Sequence, residues 1–541
     1  MLAAKHLSCF KNYCLKKVNP FILSLLSGIL LWAAWPESYF TFLIFIAWIP
    51  LLFVADVVEK KIRFFFLCFI SMLTWNAATT WWIWNSTDVG SIGAIVCNSL
   101  LMTLPWWAYR TSKRKLNKKN AYISLIAFWM LFEYIHLNWQ LSWPWLTLGN
   151  VFADKTAWVQ WYEYTGTSGG TLWILIVNIL LFDIIKNIQP AKPALKIKET
   201  IIAALIILLP IIISVSLKSS LNTAQTTLNK TGDNVIIVQP NIDPYGKFSE
   251  GSTSQQIQIL LSLSEQQLDS NTKLVVWPET ALSETVWQDE IKNDAVYQPV
   301  FAFVNRHPGI TLLTGIETYK KYGAEKTTPT AQFDETDNIY YDAFNAAVAI
   351  HAGDSLQFYN KSKLVPGVET LPGFLRWLSP LFEKFGGTTG GYGHSDQSAV
   401  FKTNNNPYTS APIICYESIY GEYISTYVQK GANILTIITN DGWWGNTPGH
   451  IQHLNYARLR AIETRKWVVR SANTGISAVI NEAGDILETQ PWNKAAFIKA
   501  NVSPQEGETF YVKYGDVLSK IASGLGLLFL LWNIITVFKK K

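Results

Sequence analysis

Charge is what this sequence has least of. Of 541 residues only 16% are Asp, Glu, Lys or Arg, while 49% are hydrophobic. Soluble domains carry about 25% charged residues, so a wholly water-solvated chain is excluded and lipid contact is implied. Cysteine is scarce as well, at positions 9, 14, 68, 97 and 415. Cys9 and Cys14 have no second pair with which to close a zinc site. Cys68 and Cys97 lie in apolar runs and are expected in the core. Cys415 stands alone in the large polar region, which excludes a disulfide there. The sequence carries neither a Gly-Lys-Thr/Ser phosphate loop nor a metal-ligand cluster, so no cofactor or metal is called for. No basic stripe interleaved with aromatics runs through the polar region, and the net charge is a modest +6. Nucleic acid is therefore not an expected partner.

What is present is a set of apolar runs, each about 20 residues, the thickness of a bilayer. Seven come first, near 20–36, 40–58, 63–84, 90–109, 121–138, 169–188 and 200–218. An eighth lies near 519–538. The first is read as a retained helix, because Trp32 and Trp35 stand where a signal peptide needs small residues. Basic residues collect in alternate links: Lys5 to Lys17, Lys60 to Arg63, Arg110 to Lys119, Lys186 to Lys198, and the tail Lys539 to Lys541. Seven spans before the polar region and one after it put all of these on the cytoplasmic side. The expected division is a seven-helix bundle at 1–224, an extracytoplasmic domain at 225–515 and a last span at 516–541. The 138–168 segment crowds Trp139, Trp143, Trp145, Trp158, Trp161 and Tyr162, and is read as an interfacial aromatic belt ahead of a specific lipid-binding role. Glu133, inside a span, is either structural or functional.

Within 225–515 strand and helix signals alternate, as in an α/β layered domain. Strands are predicted at 235–238, 274–277, 310–314, 345–350, 411–414, 434–439, 468–470 and 476–480. Helices are predicted at 255–268 and 450–464. Cys415 ends the run Ala411 to Ile414, which delivers a thiol to the C-terminal edge of a strand. A second such tip is Asn440-Asp441-Gly442-Trp443-Trp444-Gly445. A thiol needs a base, since little of it is thiolate at pH 7. His450 and His453 are one option. Glu279, placed at a strand end by Pro278, is another. Tyr359 to Glu369 supplies Lys361, Lys363 and Glu369 in one short loop. Each alone reads as a solvated loop residue.

Glu279, Lys361 and Cys415, in that order and each at a strand end or adjoining loop of one α/β region, resemble the catalytic set of the nitrilase (carbon–nitrogen hydrolase) superfamily. Together with the spans, the motifs Trp277-Pro278-Glu279-Thr280, Tyr359-Asn360-Lys361 through Glu369, Ile414-Cys415-Tyr416-Glu417 and Asn440 to Gly445 resemble its membrane-embedded apolipoprotein N-acyltransferase family. The run His453 to Arg470, then Ser471-Ala472-Asn473-Thr474-Gly475, also fits. The resemblance covers nearly the whole chain. It implies an αββα sandwich on the periplasmic side of a bacterial inner membrane. It implies that a phospholipid acylates Cys415 and that the α-amine of an S-diacylglyceryl apolipoprotein then takes the chain. Glu279 would be the base and then the acid, and Lys361 the oxyanion donor. Glu369 and Glu417 would orient Lys361 or the thiol, beside Tyr416. Asn440, Trp443, Trp444 and Trp377 are expected to touch substrate, and the protein is expected to be a monomer.

Burial between Lys361 and the apolar strand ends is expected to raise the Glu279 pKa and lower that of the thiol. The loop Pro366-Gly367-Val368-Glu369 departs from the family's Pro-Phe-Gly-Glu, and Asp441-Gly442-Trp443-Trp444 from Asp-Ala-Trp-Phe. The polar stretch 321–337 reads as an insertion. Apolar positions at 371, 374, 375, 378, 381, 382 and 385 form a helical stripe, either a core helix or an arm that dips into the bilayer. Two other functions compete: a membrane-tethered nitrilase-type amidase, and a transporter or lipid-binding module with an inert α/β domain. Eight spans speak against the first. The ionisable strand tips speak against the second.

Overall fold

The computed structural model describes residues 18–187, 193–228, 232–249, 252–378 and 391–538. Helical segments occupy every position where the sequence places a span: Pro20–Ala33, Thr41–Val57 in two pieces, Lys61–Asn85, Asp88–Lys113, Lys118–Leu137, Thr167–Lys186, Pro193–Leu228 and Val517–Phe538. Local signals start several of them. Pro20 opens the first under an Asn19 cap, and the Asn117 side chain accepts from the Asn120 N–H at 3.0 Å. Among the described residues, five are long and apolar enough to cross a membrane. Pro20–Ala33 and Thr41–Val57 are shorter. Lys118–Leu137 carries Lys118, Lys119, Glu133 and His136.

The helix 193–228 shows what its surroundings must be. Ile201, Leu205, Leu208 and Ile212 are all more than half exposed, or nearly so, and follow one helical face. Such a stripe needs a non-aqueous neighbour. The cationic links meet at one end of the bundle. Lys113 and Lys186 both pair with Asp56, Lys118 pairs with Asp183, and Arg114 donates to the Glu59 carbonyl at 2.6 Å.

Between the last two of these helices the described residues form fourteen strands: β1 (Asn234–Gln239), β2 (Thr272–Val276), β3 (Leu282–Trp287), β4 (Thr311–Gly323), β5 (Gln332–Asp334), β6 (Ile339–His351), β7 (Gln357–Asn360), β8 (Phe401–Lys402), β9 (Thr409–Ile414), β10 (Ile434–Thr439), β11 (Trp467–Ala472), β12 (Ala478–Ile480), β13 (Ile486–Thr489) and β14 (Ala496–Asn501). They form two sheets. One runs β14-β1-β2-β4-β6-β5, with β3 on β4 and β7 on β6. The other runs β13-β12-β11-β10-β9-β8. Period-two alternation sorts the first sheet's side chains. Val235, Ile237, Leu274, Val276 and Leu313 share a core with Ile413, Leu435 and Val469 of the second sheet. Ile236, Val238, Val275 and Leu312 pack instead under the helices Ser252–Glu265 and Gln298–Arg306. The helices Gly421–Gln429 and Pro448–Thr464 add Ile424, Tyr427, Leu454 and Ala457 to the second sheet's core. The layers are therefore helix, sheet, sheet, helix, as the family resemblance implies.

The stretch 321–337, read as an insertion, forms the end of a long antiparallel hairpin: β4 and β6 run on from Thr311↔His351 to Gly323↔Tyr340, with β5 added at the tip. Two expectations change. Two of the 138–168 aromatics, Trp145 and Tyr162, are almost fully enclosed rather than placed at an interface, since short 3-10 turns fold the segment into the joint between bundle and α/β domain; Trp139, Trp143, Trp158 and Trp161 are half-buried. Cys97 is exposed rather than core, because its helix turns that face outward beside Leu100 and Leu104; Cys68 is buried as expected. Glu133 proves to be a pin. Its carboxylate accepts from Trp129 Nε1, the Leu148 N–H and the Thr171 hydroxyl, each at 2.8 Å.

Candidate active site

The parallel strands β9, β10 and β11 end at one edge, and the tips of β1 and β2 meet them there. The Asn473 side chain knits the two sheets. Its Oδ1 accepts from the Ile242 N–H at 3.2 Å, and its Nδ2 donates to the Ile242 carbonyl at 2.8 Å. Three residues at these tips hold left-handed backbone: Asn241, Thr280 and Cys415, at φ 54°, 47° and 50°. For non-glycine residues this is uncommon and gathers at functional sites. Cys415 begins a 3-10 turn directly after β9, so the chain reverses at the thiol.

Glu279 follows β2 and lies against β4. The Gly315 N–H donates to the Pro278 carbonyl at 3.1 Å. A Cβ at Gly315 would stand 2.4 Å from the Thr280 nitrogen and 2.6 Å from the Glu279 Cα. Only glycine permits that approach. The Lys247 ammonium braces the same turn, donating to the Glu279 carbonyl at 2.9 Å and to the Thr280 hydroxyl at 2.7 Å.

The carboxylate of Glu279 accepts from Lys361 Nζ at 3.1 Å, Asn345 Nδ2 at 2.8 Å and the Asn440 N–H at 3.1 Å. Lys361, just past β7 and 1% exposed, also donates to Glu369 Oε1 at 2.7 Å. Asn345 Nδ2 reaches Glu369 as well, at 3.2 Å. Glu369 thus holds the ammonium by a direct hydrogen bond. Glu417 touches neither the ammonium nor the thiol. It accepts from the N–H groups of Ile414 and Ser362 at 2.9 and 2.7 Å and from the Tyr359 hydroxyl at 2.6 Å. It staples the lysine loop to the cysteine turn through the backbone.

The proton affinities run opposite to expectation. Burial pushes the Glu279 carboxyl up, but the Lys361 charge and the hydrogen bonds from Asn345, Lys361 and the Cys415 thiol outweigh it and hold the carboxyl below its usual range. Burial and the neighbouring Glu279 charge push the thiol well up. Burial alone would depress the Lys361 pKa, yet the Glu279 and Glu369 charges hold it well above its ordinary value. The resting site is therefore carboxylate, ammonium and thiol.

The remaining candidates separate. Asn440 is in the site: besides its N–H on Glu279, its side-chain Nδ2 is buried with no hydrogen-bond partner among the described residues. Tyr416 points away, donating from its hydroxyl to the Ser142 carbonyl at 2.9 Å and stacking on Trp143. Trp444 packs against Trp82 and Trp145 of the bundle side, so it fixes the joint. Trp443 lies edge-on to Tyr245 at 5.3 Å, on the rim. Trp377 is 75% exposed in a 3-10 turn, Gly373–Leu378; the rest of the proposed stripe, from 379 to 385, lies outside the described residues. His450 stacks on Trp492, and His453 sits behind the cysteine turn. Neither touches the thiol as a base. Asn345, Lys247 and Gly315 escaped sequence reasoning. Only Asn345 left a signal, a lone amide in the apolar run Ala346 to Ile350 and its approach.

Residues 235–510 match the family model of carbon-nitrogen hydrolases, and residues 27–180 that of the apolipoprotein N-acyltransferase N-terminal domain. An apolipoprotein N-acyltransferase of Chlorobaculum tepidum is 30% identical, over 94% of this chain and 95% of its own. Another, of Geobacter metallireducens, is 27% identical over 92% of each. A solved nitrilase-superfamily protein of Saccharomyces cerevisiae is 17% identical, with a TM-score of 0.35 over 50% of this chain and 90% of that one.

Proposed function

The chain belongs to the apolipoprotein N-acyltransferase family, and from that premise we propose a two-step acyl transfer through a Cys415 thioester. The observation that carries it is where the nucleophile's turn lies. Tyr416 donates to the Ser142 carbonyl, and the Tyr420 hydroxyl meets the Ser142 hydroxyl at 2.7 Å. A nucleophile whose own turn is hydrogen-bonded to a segment linking two helices of the bundle suits a lipid donor. A soluble amide substrate would need no such contact, which disfavours the tethered amidase.

In the first step the Cys415 sulfur attacks an ester carbonyl of a phospholipid. Its proton passes to Glu279, which returns it to the departing lysophospholipid oxygen. In the second, the α-amine of an S-diacylglyceryl apolipoprotein attacks the thioester. Glu279 takes the amine proton, and the thiol is regenerated. A low carboxyl beside a high thiol makes a free thiolate costly. Proton transfer therefore accompanies C–S bond formation, when the negative charge appears on the carbonyl oxygen beside the Lys361 ammonium rather than on sulfur. Lys361 serves both tetrahedral intermediates, and Glu369 holds it in place.

Residues 225–515 form the periplasmic domain in this reading, and 1–224 with 516–541 the eight-span bundle in a bacterial inner membrane. The convergence of Lys113, Lys118 and Lys186 at one end supports that orientation. The enzyme is expected to act as a monomer, with phospholipid and apolipoprotein as its partners. Peptide mass spectrometry of protein incubated with phospholipid should find Cys415 acylated. A diacylated peptide with a free α-amine should discharge it, and the same peptide acetylated should not. Discharge by water at the same rate would instead favour the amidase.

A further inference from the structure

Behind the nucleophile lies a chain of buried polar groups that the two steps above do not use. Arg470 on β11 donates to Asp441 Oδ2 at 2.5 Å. Asp441 Oδ1 accepts from the Thr439 hydroxyl and faces His453 Nδ1, both at 2.9 Å. A carboxylate only accepts, so Nδ1 carries a proton toward it. The opposite ring edge, Nε2, faces the Ser418 hydroxyl at 2.9 Å and the Cys415 carbonyl oxygen at 3.2 Å. On the neutral ring Nε2 is an acceptor, and the Ser418 hydroxyl bridges it to that same carbonyl, 2.7 Å away, sharing its one proton between the two. Asp441, His453, Ser418 and Arg470 are all fully enclosed.

Enclosing four polar side chains is unfavourable unless they are mutually paired. Here the pairing has a direction: it starts at a buried ion pair and ends on one backbone carbonyl, that of the nucleophile. A peptide bond is planar and trans, so the Cys415 C=O and the Tyr416 N–H point opposite ways. A carbonyl turned toward Ser418 and His453 turns that N–H away from them. The left-handed φ of Cys415 needs such a clamp to persist.

We propose that Asp441, His453 and Ser418 are positioning residues for acyl transfer, a relay that fixes the Cys415–Tyr416 peptide plane so that the Tyr416 N–H donates to the substrate oxyanion together with Lys361. The proposal rests on the acyl-transfer reading. Arg470 anchors the relay by holding Asp441. Nothing in it takes a proton from the thiol.

The test compares two reactions of the same thiol in purified full-length protein. One is thioester formation at Cys415 from a short-chain p-nitrophenyl ester, which passes through an oxyanion. The other is alkylation of Cys415 by iodoacetamide, located by peptide mass, which displaces iodide and forms no oxyanion. Ser418→Ala should slow acylation roughly ten- to hundredfold while alkylation changes by less than about twofold. His453→Gln retains an amide oxygen that accepts from Ser418 and should acylate faster than His453→Ala. Asp441→Asn gives a second entry to the relay should either histidine variant unfold. Acylation and alkylation falling together would mean the relay only packs the turn and would overturn the proposal, as would unchanged acylation in Ser418→Ala. If the wild-type protein forms no thioester, the acyl-transfer reading itself fails, an outcome visible before any variant is made.

Discussion

The tips of β2 and β9 each bury a glutamate, and the two behave oppositely. Glu279 is met by an ammonium, an amide side chain and a single backbone N–H. Glu417 is met by backbone N–H groups and tyrosine hydroxyls. Both are deeply enclosed and both are well supplied with donors. Yet Glu279 is held below the usual carboxylate range, whereas burial keeps Glu417 above it. Donor count does not separate them. A full positive charge at 3.1 Å does, because neutral donors only partly replace the water that burial removes. The β2 tip sets a carboxylate against a cation, as the proposed proton exchange requires. The β9 tip is built to hold two loops together.

The sharpest way to break this comparison is to neutralise each carboxylate in turn. Glu279→Gln keeps the shape and removes the proposed base, so thioester formation should fall by about 10²–10⁴-fold, read by single-turnover acylation. Lys361→Ala should impair both half-reactions, each by roughly 3–4 kcal/mol of barrier. It should also raise the Glu279 pKa, because the charge that holds it down is gone. Gly315→Ala tests the β2 tip without touching any reacting atom. Its methyl would press on the Thr280 nitrogen, cost about 1–3 kcal/mol in stability and displace Glu279. Thermal unfolding and acylation should both report it. Glu417→Gln should instead cost about 1–3 kcal/mol in stability, by placing an amide where N–H groups and hydroxyls need an acceptor. Its effect on acylation should be secondary. Equal losses of acylation in Glu279→Gln and Glu417→Gln would abolish the distinction.

The strand tips themselves were legible in the sequence. Pro278 marks the end of β2, and the apolar run before Cys415 marks β9, because both signals are local. Their convergence followed from the family resemblance, and the geometry agrees for Glu279, Lys361, Glu369 and Asn440. What the sequence withheld was long-range. Asn345 acts from the middle of a hairpin. Lys247 looks like any loop lysine. Gly315 matters only because another segment crosses it. Strands β3, β5, β7, β8, β13 and β14 are short or lie at sheet edges, where apolar alternation is weak. Trp145 and Tyr162 read as interfacial because composition cannot tell an aromatic at a membrane surface from one packed between two domains. The proton affinities were misjudged for a related reason. Burial was weighed for each group alone, whereas the outcome is set by which partner each group meets.

The smallest expected effect is the pH dependence of stability, and it tests the comparison most directly. Glu279 has a folded pKa below its ordinary 4.5, so its contribution is present above pH 4.5 and is lost as pH falls through the folded value. Glu417 has a folded pKa above 4.5, so its contribution is full below pH 4.5 and is lost as pH rises through the folded value. The two slopes have opposite signs and lie on opposite sides of 4.5. Thermal melts of wild-type protein from pH 3 to pH 8 would superimpose them, so each is read by subtraction. Glu279→Gln should flatten the acid side and leave the neutral side unchanged. Glu417→Gln should flatten the neutral side and leave the acid side. Each kcal/mol so removed moves Tm by only roughly 2–4 °C in a domain of this size, which sets the precision needed. The same sign of change in both variants would mean that Lys361 does not distinguish the two carboxylates. The concerted proton transfer argued from the low carboxyl and high thiol would then lose its basis.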